Sequence, residues 1–216
     1  VSFVARLSVR GPVLGVALLV IVTSVMSGFS RDIREGILIM QSHLEISPLY
    51  RGMQGGRGFF EEPGKRIEKL EELGLAAAPL IEGPILVQVR SQVSTKYVKG
   101  IIPAAEQQVT NIENYLVDGN FELRDGEAFI GRRMALDLGL QEGDRFLVHS
   151  PARRTEHFRW QPHGTVELTE TDEVYLPAEL AVAGIFDVGL YEYDSSIVYM
   201  HLDQAADLFG YPWGSA

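Results

Sequence analysis

The amino-acid sequence predicts an α+β protein, in which one N-terminal transmembrane helix extends into a stalk and is followed by a mixed α/β extracytoplasmic domain. Two observations support this fold class. Residues 11–30 contain no charged side chain, and the residues after about position 42 alternate between short strand patterns and short helix patterns. At about 1.5 Å per residue, a helix over 11–30 spans the roughly 30 Å hydrocarbon core of a bilayer.

Two other interpretations of the apolar run are weaker. A cleaved signal peptide has a shorter apolar region and a small-residue cleavage site, which this sequence lacks. A buried helix of a soluble protein rarely avoids charge for so long. Arg6 and Arg10 precede the run, whereas Asp32 and Glu35 accompany the arginines that follow it. The positive-inside rule therefore favours a cytoplasmic N-terminus and places the rest of the chain outside the inner membrane.

The helical pattern continues beyond the apolar run. Apolar residues recur at spacings of three and four at Met26, Phe29, Ile33, Ile37 and Met40. Such a spacing is typical of an amphipathic helix, so the transmembrane helix is expected to continue as a stalk to about Gln41. We therefore predict a transmembrane helix and stalk over residues 1–41 and an extracytoplasmic domain over residues 42–216.

Short elements follow in the domain. Strand patterns cover 43–47, 77–82, 85–91, 94–101, 144–150, 182–186 and 197–201, and 128–130 is apolar. Helix patterns cover 63–73 (ended by Gly74), 103–111, 131–138 and 202–209. Residues 51–58 form a glycine-rich loop, and 151–179 have no clean periodicity. Mixed strands and short helices predict an α+β or α/β domain.

The composition excludes several functions. A formal net charge of −10 argues against a nucleic-acid partner, since phosphate recognition needs a basic surface. The absence of cysteine excludes disulfides, thiol catalysis and thiolate metal sites. A P-loop needs Ser or Thr after Gly-Lys, but Arg66 follows Gly64-Lys65. His157 and His163 share a loop with Glu156, where solvated histidines are a better interpretation than a metal site.

Catalytic patterns are also missing. No Gly-x-Ser-x-Gly nucleophile elbow occurs in the sequence. The polar cluster Tyr191–Ser196 holds two carboxylates, Glu192 and Asp194, which could form an acid–base pair. We favour a structural turn in which Asp194 caps backbone groups and the tyrosines pack. The sequence therefore predicts that the protein is not an enzyme.

Four segments carry a resemblance to a known family. They are LGVALLVIVTSVMSGFSRDIREGIL (14–38), VKGIIPAAEQQVTNIENYLVDGNFEL (98–123), FIGRRMALDLGLQEGDRFLVHSP (129–151) and AGIFDVGLYEYDSSIVYMHLDQAADLFG (183–210). In order and spacing they resemble the lipoprotein-releasing ABC transporter permeases, the LolC/LolE family. Together they cover more than half of the chain.

The resemblance implies a permease subunit in the bacterial inner membrane. Such a subunit has four spans and a large periplasmic domain of the MacB-like core type, with two subdomains that residues beyond 216 would complete. A separate cytoplasmic ATPase binds ATP, so no cofactor is expected in this chain. The other implied partners are a second permease subunit, membrane lipid, a lipoprotein cargo and, in some members, a periplasmic lipoprotein carrier.

The resemblance also suggests contact residues. The cargo's acyl chains would meet the helix stripe formed by Met26, Phe29, Ile33 and Ile37, although packing against a partner span explains this stripe equally well. A carrier would meet a hairpin within 153–179, through Arg153, Arg154 and Arg159. Ala178 and Glu179 stand where the family has a basic residue, which argues against carrier docking.

Three alternatives remain open from the sequence. The first is a MacB-like or FtsX-like permease that transmits motion without acting on lipoproteins. The second is a membrane-anchored extracytoplasmic enzyme. The third is a structural adaptor that holds a partner complex at the membrane.

Overall fold

The structure of the protein is a computed structural model that describes residues 3–48, 60, 62–150, 158–160, 166–168 and 177–211. Within these ranges, only the backbone is described for 3–9, 31–40, 158–160 and 166–168. The chain divides into two compact units, Val1–Gln41 and Ser42–Ala216.

The first unit is one long helix, α1, over Phe3–Met40. Its stretch Arg10–Ser30 is long and apolar enough to cross a membrane, with a mean hydropathy of 2.2, and none of it is buried. Pro12 lies inside the helix near its start. The hydroxyl of Thr23 donates to the carbonyl oxygen of Leu19 at 2.8 Å, so this polar group is satisfied within the helix. The predicted continuation of the helix to about residue 41 is confirmed.

The second unit is a mixed α/β domain, which confirms the predicted fold class. Its helices are α2 (Pro63–Glu72), α3 (Pro103–Glu106), a 3₁₀ turn (Ile112–Tyr115), α4 (Arg132–Leu138), α5 (Tyr191–Ser196) and α6 (Leu202–Phe209). Its strands are β1 (Ile81–Val89), β2 (Gln92–Ile101), β3 (Leu116–Gly119), β4 (Glu127–Gly131), β5 (Arg145–His149), β6 (Phe158–Trp160), β7 (Val166–Leu168), β8 (Ala178–Phe186) and β9 (Ile197–His201).

Six of the described strands close into a ring. The order runs β8-β4-β9-β2-β1-β5, and β5 pairs again with β8. Two pairs of neighbouring strands in the ring are parallel, β2 with β9 and β4 with β8. The other four pairs are antiparallel. Strand β8 is long enough to serve two partners on one edge: residues 178–181 pair with β5, and residues 184–186 pair with β3. Closure leaves β3 as the outer strand of the sheet.

The main core of the second unit is built mainly from aliphatic side chains on alternate strand positions. Along β1 the buried residues are spaced by two, as the strand period requires. Helix α6 packs on the same core through Ala205 and Ala206. The buried side chains of this core include Ile85, Val87, Val98, Ile130, Met134, Phe146, Val148, Leu180, Val182, Val198 and Met200.

A second buried layer lies outside this core. Phe186 meets Tyr199 edge to face at 5.5 Å between ring centroids, and Phe121 stacks on Phe129 at 5.3 Å. Phe121 belongs to the segment between β2 and β4, which also contributes the buried Ile112. This segment, residues 102–126, therefore covers part of the sheet's other face. The sequence pattern predicts only a helix here and gives no signal for β3.

Several predicted elements are confirmed with small shifts. Helix α2 ends before Gly74, whose φ of +76° is the left-handed conformation that favours glycine at a helix end. Helix α4 ends in the same way at Gly139, with φ of +65°. Strand β9 and helix α6 have the predicted bounds. The glycine-rich loop at 51–58 lies outside the described residues.

Four predictions of local structure are wrong. Residues 43–47 form no strand in the described part of the chain, because no described strand pairs with them. The two strands predicted over 77–91 are one strand, β1, that runs through Pro84. Strand β5 pairs with β1 only at residues 86–88, so the missing N–H of Pro84 removes no bond to it.

The other two errors concern helices. The helix predicted over 103–111 ends at Glu106, because the amides of Gln108 and Val109 bond to carbonyls three residues back rather than four. The predicted turn over residues 191–196 is the short helix α5. In α5, the amide of Asp194 donates to the carbonyl oxygen of Leu190, four residues back, at 2.9 Å.

The close approach of β4 to α5 gives a test of this fold. A Cβ at Gly131 would lie 2.6 Å from the carbonyl carbon of Asp194, whereas a Cβ at Gly64 would meet nothing within 4 Å. Gly131→Ala is expected to lower the free energy of unfolding by about 1–3 kcal/mol, since backbone must move. Gly64→Ala, on helix α2, is expected to be neutral or to stabilise by up to about 1 kcal/mol. Urea titration of the chain in detergent, followed by circular dichroism, compares the two.

Candidate functional site

The predicted cargo stripe lies on α1. Met26 and Phe29 are 61% and 58% exposed. Ile33 and Ile37 continue the stripe at spacings of four in the same helix, and their side chains lie outside the described part of the structure. Residues spaced by three and four share one helix face, so the stripe is a continuous apolar line near one end of the span. Its role as a cargo contact stays a prediction.

Of the three arginines predicted to contact a carrier, the structure describes only Arg159, and only its backbone. Arg153 and Arg154 lie outside the described residues. Arg159 lies in β6, which pairs antiparallel with β7 and puts Arg159 opposite Glu167. A two-stranded hairpin therefore occurs within 153–179, as expected from the resemblance. The structure does not describe the Arg159 side chain.

A polar cluster lies where the parallel strands β4 and β8 both end. Arg132 follows β4, and Asp187 follows β8. The guanidinium Nη1 of Arg132 donates to Asp187 Oδ2 at 3.1 Å. Asp194, on α5, is buried and its Oδ1 accepts the amide of Val188 at 3.0 Å. Carboxyl ends of neighbouring parallel strands are common positions for binding groups in α/β sheets.

The surroundings of Asp194 change its protonation. Burial raises the pKa of Asp194, and the negative charge and side-chain hydrogen bond of Asp187 raise it further. The backbone amides of Val188 and Gly189 offset part of this by stabilising the carboxylate. Asp194 is therefore coupled to Asp187, while Glu192 is exposed on α5. The predicted contact of Asp194 with the backbone is confirmed, whereas Tyr191, which the same interpretation expects to pack, is 61% exposed.

Side chains around α5 hold it against the neighbouring elements. The ammonium of Lys96 donates to the carbonyl oxygen of Ser195 at 2.6 Å, at the C-terminal end of the helix where cations are favoured. Burial lowers the pKa of Lys96, and Asp137 offsets part of that effect. The guanidinium of Arg133 lies over the ring of Tyr191 at 5.3 Å. These contacts give α5 a structural role at the end of the sheet.

A second group of buried polar side chains lies under the segment 102–126. Lys99, Glu106, Thr110 and Tyr199 are all buried. Lys99 is paired in register with Glu82 across β1 and β2. The hydroxyl of Thr110 donates to Glu106 Oε1 at 2.9 Å. The Tyr199 hydroxyl has no hydrogen-bond partner among the described residues.

Burial dominates the electrostatics of this group. It lowers the pKa of Lys99, and the carboxylates of Glu82, Glu106 and Glu45 offset part of the change. Burial raises the pKa of Glu106, and the hydrogen bond from Thr110 and the positive charge of Lys99 offset part of this rise. Burial also raises the pKa of Tyr199. Opposite charges that are both desolvated compensate each other, so these residues tie the covering segment to the sheet.

A groove lies between α4 and β3. Its volume is about 490 Å³. The buried Ala135, Leu140 and Ile185 lie at its base, and the exposed Val117 and Leu136 stand beside them. The remaining lining residues are Asp118, Arg132, Gly139 and Gln141. The sequence carries no local signal for this groove, because its two sides come from separate segments of the chain.

The described residues contain no group of three or more side chains that could hold a metal ion. Two of the described histidines have other partners: His149 Nε2 lies 2.9 Å from Gln88 Oε1, and His201 Nδ1 lies 3.5 Å from Asp203 Oδ2. Glu156, His157 and His163, which share one loop in the sequence, lie outside the described residues.

Two curated relatives are similar to this chain over most of its length. The lipoprotein-releasing system transmembrane protein LolC of Neisseria meningitidis serogroup B is 29% identical over 213 residues, which are 96% of this chain and 46% of that protein. The corresponding LolE of Haemophilus influenzae is 27% identical over 173 residues, which are 78% of this chain and 41% of that protein. The resemblance to LolC and LolE is confirmed, and the chain spans less than half of either relative.

A solved structure is also similar. The extracellular domain of the noncanonic ABC-type transporter YknZ from Gram-positive bacteria has a TM-score of 0.45 and 15% identity, covering 78% of this chain and 77% of that one. No family model matches the chain.

The aspartate pair predicts an unusual pH dependence. Because the folded pKa of Asp194 is raised, its contribution to stability is fully present below the unfolded value of about 3.9 and is lost as pH rises through the folded pKa. Asp194→Asn is expected to abolish this loss of stability with rising pH, because the side chain no longer ionises. Its amide oxygen can still accept the hydrogen bond from the amide of Val188. Asp194→Ala leaves that amide unpaired and costs about 1–3 kcal/mol. Urea midpoints between pH 4 and 7 measure both changes.

Asp125→Asn is the matched control for Asp194→Asn, because the side chain of Asp125 is exposed. A pH profile that changes equally in the two variants would contradict the assignment to the aspartate pair.

The buried charges predict a large effect at Lys99. Lys99→Met removes a cation that compensates Glu106 and is expected to cost about 3–5 kcal/mol of unfolding free energy. Lys65→Met removes the exposed ion pair with Glu62 and is expected to cost less than about 1 kcal/mol. If the losses measured for Lys99→Met and for Glu106→Gln simply add up in the double variant, the two charges are not coupled. Urea titration of these variants beside the unaltered protein provides the comparison.

Proposed function

We propose that this chain is part of a permease subunit of an ABC transporter that releases lipoproteins from the outer leaflet of the bacterial inner membrane. The observation that carries the proposal is the match to LolC over 96% of the chain, since it includes both the apolar helix and the α/β domain. In this proposal, residues 42–216 lie in the periplasm. ATP is bound by a separate cytoplasmic ATPase, and a second permease subunit completes the transporter.

The length of α1 supports a role in transmitting motion. Its 38 residues correspond to about 57 Å, roughly twice the hydrocarbon core. The helix therefore has about 25 Å that need not lie in the hydrocarbon. A continuous helix moves as one stiff element, so a displacement produced by the ATPase at one membrane face would reach the other. The proposal assigns this function to the segment from Arg10 to Met40.

The stripe on α1 is the proposed contact for the cargo's acyl chains. Met26 and Phe29 present flexible and flat apolar side chains, which adapt to hydrocarbon chains of different shape. Ile33 and Ile37 extend the same line. A lipoprotein drawn out of the leaflet would keep its acyl chains against this face instead of water. The released lipoprotein would then pass to the outer membrane, with a periplasmic carrier as a further proposed partner.

The runner-up is a MacB-like or FtsX-like permease that does not act on lipoproteins. It shares the single apolar helix and the mixed α/β domain, so the fold does not separate the two. The LolC and LolE relatives described above are both components of lipoprotein-releasing systems by name, which favours the first proposal.

The proposal predicts a cargo-dependent ATPase. The full-length protein, expressed with its neighbouring genes and reconstituted in nanodiscs, is expected to copurify with an ATPase subunit whose rate rises on addition of triacylated lipoprotein. Phe29→Asp is expected to reduce the stimulation at least about tenfold, because a carboxylate in an acyl-chain contact costs several kcal/mol. The basal ATPase rate is expected to stay the same.

Ser27→Asp is the matched control, since Ser27 is about 200° around the helix from Phe29 at nearly the same depth. Equal loss in both variants would show that charge in the span, rather than the stripe, is responsible. An ATPase that ignores lipoprotein would favour the runner-up, and the absence of any ATPase partner would refute both.

A further inference from the structure

Tyr199 places a hydroxyl in a part of the second unit that solvent does not reach. The residue is fully buried in β9, and its hydroxyl has no hydrogen-bond partner among the described residues. A buried tyrosine usually bonds its hydroxyl, because an unpaired one keeps the full cost of leaving water. The Tyr199 hydroxyl therefore calls for a partner that the neighbouring side chains do not supply directly.

The ring of Tyr199 is held in place by its neighbours. Phe186 meets it edge to face at 5.5 Å between ring centroids. Phe129 on β4 and Lys99 on β2 lie opposite Tyr199 in the register of the sheet, so all three side chains share one face. A ring packed in this way has little freedom to turn its hydroxyl toward a distant acceptor.

The covering segment 102–126 supplies polar groups to this face of the sheet. Glu106 and Thr110 are buried there, and Glu106 Oε1 accepts the hydroxyl of Thr110 at 2.9 Å. A carboxylate has about four acceptor positions, so this bond leaves room for another donor. Burial raises the pKa of Tyr199, and the negative charge of Glu106 raises it further. Glu106 therefore acts on the phenol without bonding it directly.

The surroundings restrict what could join these two groups. The site is enclosed, and it holds the cation of Lys99 as well as the anion of Glu106. A charged ligand would face a like charge at one of them, and burying it would add a desolvation cost. A small neutral molecule that both donates and accepts hydrogen bonds avoids both costs. Water has this chemistry, and a buried water typically makes about three hydrogen bonds to polar groups that otherwise lack a partner.

We propose that one buried water molecule bridges the Tyr199 hydroxyl and the Glu106 carboxylate. The Tyr199 O–H donates to the water oxygen, and the water donates to a carboxylate oxygen of Glu106. The bridge joins β9 to α3, and so fastens the covering segment to the sheet beside Lys99. It is present whether or not the chain acts on lipoproteins, because all its groups belong to the second unit.

The sign of one mutational effect separates a bridged hydroxyl from an unpaired one. Tyr199→Phe removes the hydroxyl and keeps the ring. If the water bridge exists, the variant loses a hydrogen bond, and its urea midpoint is expected to fall by about 0.5 M. Removing an unpaired hydroxyl instead relieves a cost, so an unchanged or higher midpoint would overturn the proposal. Circular dichroism of the whole chain in detergent follows the unfolding.

Tyr191→Phe is the matched control, since Tyr191 is 61% exposed and its hydroxyl can bond to solvent. Its midpoint is expected to shift by less than about 0.25 M. An equal fall in both variants would show that the loss of any tyrosine hydroxyl, rather than the bridge, is responsible.

A structure of the full-length protein in nanodiscs, at a resolution that shows ordered waters, separates a water bridge from a direct bond. The expected result is a water peak about 2.5–3.0 Å from both Tyr199 Oη and a carboxylate oxygen of Glu106. A direct bond from Tyr199 Oη to a protein group, or a peak that does not reach Glu106, would refute the bridge.

Discussion

Closure of the sheet through β8 is the constraint on which the rest of the second unit depends. Strand β8 pairs with β4 along one edge and with β5 and β3 in succession along the other. Because β5 returns to β8, the six ring strands have no free edge and enclose an aliphatic core. The same strand ends next to Asp187, which bonds Arg132 at the end of β4. One strand therefore sets the core, the polar cluster and the position of the groove.

The buried charges lie outside the aliphatic core. Lys99 and Glu106 are desolvated where residues 102–126 cover the sheet, and Asp194 is desolvated where α5 approaches Gly131. Buried charges add little net stability, but removing one partner of a pair is costly. They consequently hold the covering segment and α5 in one arrangement more than they strengthen the fold. For a domain proposed to transmit motion, defined positions of its outer segments are the useful property.

Part of this organisation follows from local patterns in the sequence. The charge-free run predicts the helix α1, and the spacing of Met26, Phe29 and Ile33 predicts its continuation. Gly74 and Gly139 mark helix ends because their positive φ angles suit glycine. Strand β9 and helix α6 are predicted with their bounds because an apolar run passes directly into an amphipathic one. The resemblance to LolC and LolE rests on the order of four sequence segments, and the relatives support it.

Other features depend on partners distant in the sequence. Residues 43–47 alternate like a strand but find no described strand to pair with, and Pro84 is tolerated because β5 does not reach it. Asp194 is coupled to Asp187 rather than to its neighbour Glu192 because α5 turns its carboxylate toward the end of β8.

The sequence by itself determined the apolar helix, the mixed α/β class and the likeness to a permease, because hydrophobic spacing and local backbone preference are written within a few residues. The tertiary structure alone decided the ring of strands, the buried pairing of Lys99 with acidic groups and the groove beside β3. These features join separate strands, helices and covering segments, and their energies arise only when folding brings these together and removes the water between them.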